Sequence, residues 1–173
     1  MNKYSNNGFS LIEVVVTVAI IGILSMIAYP WYGTYVAQTR RAEATIPLTA
    51  LAAQQEKFFT QCGGYADTLG PNPPGRVCPA VQGGPGGIID ANTVELNPGG
   101  ATRTGNYQIV MTPGPTGTLA SSYAITASPI AGSPQFLTDN LRCTTIAINS
   151  TGAKSATGTE SLTGPNGGGC WKK

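Results

Sequence analysis

The chain has 173 residues, a formal net charge of +2 and only 10% charged side chains. That balance argues against a nucleic-acid binder held by bulk charge. There is no histidine, which excludes Ser-His-Asp triads, imidazole acid–base catalysis and His-containing zinc sites.

Met1–Gly8 is polar with one cation, Lys3, and reads as the n-region of an export signal. Phe9–Ala28 is predominantly apolar and, at about 1.5 Å rise per residue, long enough as a helix to span about 30 Å of hydrocarbon. Lipid forces internal backbone hydrogen bonding, so its many Val and Ile residues still predict a helix. Tyr29, Trp31, Tyr32 and Tyr35 fall where a membrane–water interface would lie. Pro30 is expected to kink or break a helix continuing past this point, and Pro47 to add a second bend.

From Thr34 to Gln61, Ala44, Leu48, Leu51, Gln55 and Phe58 recur at three- and four-residue steps. This predicts an amphipathic helix with its charges, including Arg41 and Glu43, mostly on other faces. Gly63-Gly64 ends it. Gly63–Thr104 is thick with Gly and Pro and reads as a long connector. Strand text follows at Tyr107–Met111, Tyr123–Thr126 and Thr144–Ile148, with turn residues between, which predicts an antiparallel meander. Asn149-Ser150-Thr151 fits a glycosylation sequon but sits in turn chemistry, and the turn is the favoured reading.

Cys62, Cys78, Cys143 and Cys170 form no C-x-x-C pair, so a disulfide framework is preferred over a metal site. Four cysteines allow three connectivities. Pairing chain neighbours closes loops of roughly 16 and 27 residues, each worth about 3 kcal/mol. That pairing is preferred, but the sequence does not fix it.

Asp67, Asp90, Glu95, Asp139 and Glu160 lack calcium-loop spacing, so no metal or cofactor is expected. Gly83–Gly87 lacks the strand and helix of a phosphate loop. Asp139 and Arg142 read as a solvated surface pair. Arg142, Lys154, Trp171, Lys172 and Lys173 make nucleic acid a weak partner reading, because Trp171 packed beside a disulfide is the simpler expectation.

The fold expected is therefore α+β: a long N-terminal helix, half membrane-like and half amphipathic, on a small antiparallel sheet. Its thin core would be compensated by disulfides. The segments are 1–8, a leader; 9–30, the apolar membrane and assembly helix; 31–62, the amphipathic helix; and 63–173, a loop plus sheet forming the head.

GFSLIEVVVTVAIIGIL followed by Ala28-Tyr29-Pro30 resembles the type IV pilins. The Arg40–Ala44 and Gln54–Phe59 runs are most similar to a minor-pilin branch, and Cys143 with Cys170-Trp171 resembles its disulfide-bounded C-terminal region. The resemblance implies prepilin-peptidase cleavage between Gly8 and Phe9 and N-methylation of Phe9. It also implies helix flexing at Gly22 and Pro30, and assembly through Glu13. The implied partners are other pilin subunits, the peptidase and an inner-membrane assembly platform. The implied location is the inner membrane, then an extracellular pilus, with outputs such as adhesion, twitching motility or DNA uptake.

A carboxylate in hydrocarbon costs about 2.5–3.5 kcal/mol on insertion scales. The amine freed at Phe9 would lie about 6 Å along the axis from Glu13 on the same helix, poorly placed for tight pairing there. It would suit Glu13 of a shifted neighbour. A type II secretion pseudopilin and a monomeric membrane-tethered binding module are the alternatives. The missing histidine and the scattered acids disfavour an enzyme.

Overall fold

The computed structural model describes residues 10–70, 76–79, 87–115, 117–159 and 168–171. Gly8, Phe9, Glu160, Lys172, Lys173 and most of the Gly83–Gly87 run lie outside that set, as do the side chains of Tyr29, Pro30 and Trp31. The chain divides into two compact units, 1–36 and 37–173.

Helix α1 runs from Leu11 to Cys62. Neither Pro30 nor Pro47 ends it. Pro47 lacks the N–H that would bond the Glu43 carbonyl. It is nonetheless buried, and its neighbours on the core face hold the helix by packing. Ala44, Leu48, Leu51, Gln55 and Phe58 are each fully buried, so the three- and four-residue period marks the core face correctly. Gly63 closes the helix at φ 74°, its N–H donating to the Phe59 carbonyl at 2.9 Å. Only glycine adopts that left-handed conformation without strain from a side chain.

The four-stranded sheet comprises β4 (Tyr107–Pro113), β5 (Tyr123–Pro129), β6 (Thr145–Asn149) and β7 (Lys154–Thr157), all antiparallel in that order. Alternate residues face inward: Tyr107, Ile109 and Met111 from β4, Tyr123, Ile125 and Ala127 from β5. Ile146, Ile148 and Ala156 continue the same layer. These side chains and the buried face of α1 belong to one apolar cluster, the arrangement of a sheet with one face buried.

Two expectations about the connector and the sheet need correction. Gly63–Thr104 is not a plain loop. It carries β1 (Thr68–Gly70), β2 (Arg76–Val77) and β3 (Ile88–Asp90) in a small sheet ordered β1-β3-β2, then a 3-10 turn at Ala91–Val94. The amide of Gln55 secures the start of this segment, donating to the Ala66 carbonyl at 2.9 Å and accepting from the Ala66 N–H at 2.8 Å. The meander also gains a fourth strand, β7, whose only buried side chain is Ala156, opposite Ile146.

Two disulfides close the framework, Cys62–Cys78 and Cys143–Cys170, with Cα separations of 5.4 and 5.8 Å.

Candidate functional site

Leu11–Ala28 is helical, has a mean hydropathy of 2.6, and none of it is buried within the fold. A helix apolar on all sides needs lipid or other helices around it. Its length and composition suffice to cross a membrane. The hydroxyl of Thr17 donates to the carbonyls of Glu13 at 2.6 Å and Val14 at 2.9 Å. Ser25 donates to the Ile21 carbonyl at 2.7 Å. Both hydroxyls are thus satisfied by their own helix. Glu13 is exposed and is the one charged side chain in the span. A Cβ at Gly22 would meet nothing within 4 Å, so this glycine is not required by contacts inside the chain.

In the head unit, the largest departure from sequence reasoning is at Asp139. It is fully buried and pairs with Arg41, not Arg142. Arg41 Nη2 donates to Oδ1 at 2.7 Å, and Nε donates to Oδ2 at 3.0 Å. Tyr107 Oη donates to Oδ2 at 2.8 Å, and Gln135 Nε2 donates to the same oxygen. Asp139 sits in α2 (Phe136–Asp139), so the cluster ties that turn to α1 and β4. The carboxylate needs this many donors because burial removes its water. Burial, then the Asp139 charge, pushes the Tyr107 phenol well above the usual tyrosine range. No helical period points to this pair, because its members lie 98 residues apart.

The C-terminal disulfide gathers the second group. Cys143–Cys170 brings the 3-10 turn Gly168–Trp171 against β7. Trp171 Nε1 donates to the Ser155 carbonyl at 2.9 Å. The Lys154 ammonium lies 4.8 Å from the centre of the indole ring, a cation–π contact. Arg142 is exposed beside Cys143. Gly158, at φ 127°, lies against this corner, and a Cβ there would come within 2.2 Å of the Arg142 carbonyl oxygen. Trp171 is therefore half-buried and hydrogen-bonded, as its expected packing role requires. Asn149 Oδ1 accepts from Thr151 N–H at 3.1 Å and Ala153 N–H at 2.9 Å, which makes it a turn residue.

A groove of about 250 Å³ opens beside α1. Ala42, Ile46 and Pro47 line it from the helix, and Glu95 and Arg103 from the facing loop. Glu43 also lines it and accepts hydrogen bonds from Thr104 and, at 2.8 Å, from Asn106. Among the described residues no cluster of carboxylates and thiols could hold a metal ion.

The family model described as "Type IV minor pilin ComP, DNA uptake sequence receptor" matches residues 30–147. This chain belongs to the type IV minor pilins. A second model, the prokaryotic N-terminal methylation motif, matches residues 3–29 of the pilin. The type IV major pilin PilA of Myxococcus xanthus is 44% identical over 62 residues, which is 36% of this pilin and 28% of PilA. The fimbrial protein EcpC of Eikenella corrodens is 50% identical over 44 residues, 25% of this pilin and 29% of EcpC. A Pseudomonas aeruginosa fimbrial protein is 44% identical over 57 residues, 33% and 37% of the two chains. The matched parts thus span well under half of these relatives. A solved type IV pilin from Shewanella oneidensis is similar at 16% identity and a TM-score of 0.37, covering 68% of this pilin and 89% of that chain.

Proposed function

We propose that this pilin is a structural subunit of an extracellular pilus, without catalysis of its own, and that its head takes part in capturing DNA. The observation that carries the first part is the uncovered apolar helix Leu11–Ala28 with its single carboxylate. Before assembly the helix lies in the inner membrane. Prepilin peptidase cuts after Gly8 and methylates Phe9, a reading supported by the methylation-motif match over residues 3–29. The freed amine of one subunit then meets Glu13 of another on the assembly platform. A buried ion pair of this kind acts better as a register than as a stabiliser. Because the helix leaves lipid rather than water, close packing of the surrounding Val, Ile and Leu side chains against neighbouring helices supplies most of the association energy.

Mass spectrometry of sheared surface filaments tests this. The expected polypeptide begins at methylated Phe9 and carries both disulfides. Glu13→Val enters the membrane normally but is lost from fibres. Wild-type protein confined to the membrane fraction and absent from fibres, as for a lone tethered module, would sink the reading.

The DNA reading draws on the family description and on the Lys154–Trp171 pair at the disulfide-bounded end. Cations beside aromatic faces suit nucleic-acid backbones and exposed bases. Fluorescence anisotropy with labelled duplex DNA is the test. Affinity should fall with salt, and Lys154→Gln should lower both the affinity and the salt slope. Binding indifferent to both would exclude this site.

A further inference from the structure

We propose that, before assembly, the pilin head rests on the membrane that holds its anchor helix, with Leu137 and Leu141 seated among the lipid headgroups. This rests on the anchoring reading above and adds a second, peripheral contact with the bilayer.

The segment that meets lipid is residues 130–141, between β5 and β6. Leu137 is 80% exposed and Leu141 69% exposed. Leu137 lies in α2, and Leu141 lies two residues beyond its end. Pro134, in the same segment, is also exposed. One charged residue occurs among these twelve, Asp139, and it is buried. The Arg41 guanidinium, the Tyr107 phenol and the Gln135 amide hold it inside. The surface left outside is uncharged and carries two large apolar side chains. Such a surface enters a headgroup layer without stripping water from a charge. It offers no counter-charge to an acidic or a basic protein partner.

What selects lipid is where the segment is tied. Gln135 Nε2 donates to the Ala37 carbonyl at 3.3 Å, and Asp139 pairs with Arg41. Both bonds reach the first turns of the part of α1 that belongs to the head. Among the described residues Ala37 is the first buried one in the chain, and it follows Tyr35 by two positions. Two residues of chain span at most about 7 Å, whichever way the chain is directed there. Tyr32 and Tyr35 are exposed. Aromatic residues just past an apolar span belong in the headgroup layer, which adds roughly 5–8 Å on each side of the hydrocarbon. The tie at Ala37 therefore starts within reach of that layer. The charges agree. Between Glu13 and Arg40 no charged residue occurs, so the first cation after the span falls at the outer edge of the layer, where lipid phosphates lie.

All four cysteines are paired, so an added cysteine is the sole free thiol. The test reconstitutes the full chain at low density in vesicles of phosphatidylethanolamine and phosphatidylglycerol, with a fluorophore attached at Leu141→Cys. Phosphatidylcholine carrying a nitroxide near its headgroup should quench this label at least about twofold more than one at Ala120→Cys, as for a side chain seated in the boundary layer. Ala120 is exposed and adjoins Leu119, whose carbonyl accepts the Tyr65 N–H at 2.8 Å just past the far end of α1. From Ala37 to that end α1 rises about 37 Å. Leu137→Asp should bring quenching at Leu141→Cys down to the Ala120 level. Leu137 is exposed, so both disulfides should still form in that variant. Equal quenching at Leu141→Cys and Ala120→Cys overturns the head contact, as does quenching that ignores Leu137→Asp. Shielding of the Leu141 label from aqueous iodide without quenching by the lipid nitroxide puts a protein partner there, and overturns it too. A label at Ser25→Cys that no deep lipid nitroxide reaches overturns the anchoring reading first, and the head contact with it.

Discussion

Arg41 and Asp139, 98 residues apart, form a two-pronged ion pair in which both side chains are nearly excluded from solvent. Truncating one partner leaves the other charged and unpaired in the core. Arg41→Met should therefore destabilise the head by about 3–5 kcal/mol. Arg41→Met with Asp139→Leu should recover part of that loss. Urea unfolding of the detergent-solubilised chain, followed by near-UV circular dichroism, measures both.

The tyrosines give an alkaline limit. Tyr107 and Tyr123 both have phenols raised above the ordinary value of 10.0, first by burial and then by the nearby carboxylates, Asp139 and Glu56 respectively. The folded values lie above the unfolded ones, so the unfolded chain loses these protons first. Stability is therefore complete below about pH 10 and falls as pH rises above it. A pH titration should show phenolate absorbance from these two residues appearing together with unfolding. Tyr107→Phe, though less stable at neutral pH, should show a weaker alkaline loss.

Gln55 stands in for a missing strand neighbour by bonding both backbone groups of Ala66. Gln55→Leu keeps the bulk but strands a buried N–H and a buried carbonyl. The expected cost is about 1–3 kcal/mol. Amide hydrogen exchange at Ala66 should accelerate more than exchange in β5.

Removing Cys143–Cys170 through paired Ser substitutions should cost about 3 kcal/mol. It should also release Trp171 from the Ser155 carbonyl and from Lys154. Intrinsic tryptophan fluorescence should shift to the red before the head unfolds. Unchanged emission would mean that Trp171 holds its place without the disulfide.

What the sequence alone determined is whatever repeats with a local period. Twenty predominantly apolar residues, 9–28, define a segment long enough to cross a bilayer. Steps of three and four mark Ala44 through Phe58 as a core face, and alternation marks three strands. Such patterns are legible because neighbours in sequence share one physical environment. Tertiary structure alone decided the rest. Lys154–Thr157 has no apolar run and is a strand only because β6 offers it an edge. The strands of the small sheet are two or three residues long, too short for any period to show. Asp139 looks like a surface acid in its local setting. It became the most buried carboxylate among the described residues because folding delivered a guanidinium, a phenol and an amide to one point, and only that convergence offsets the loss of water.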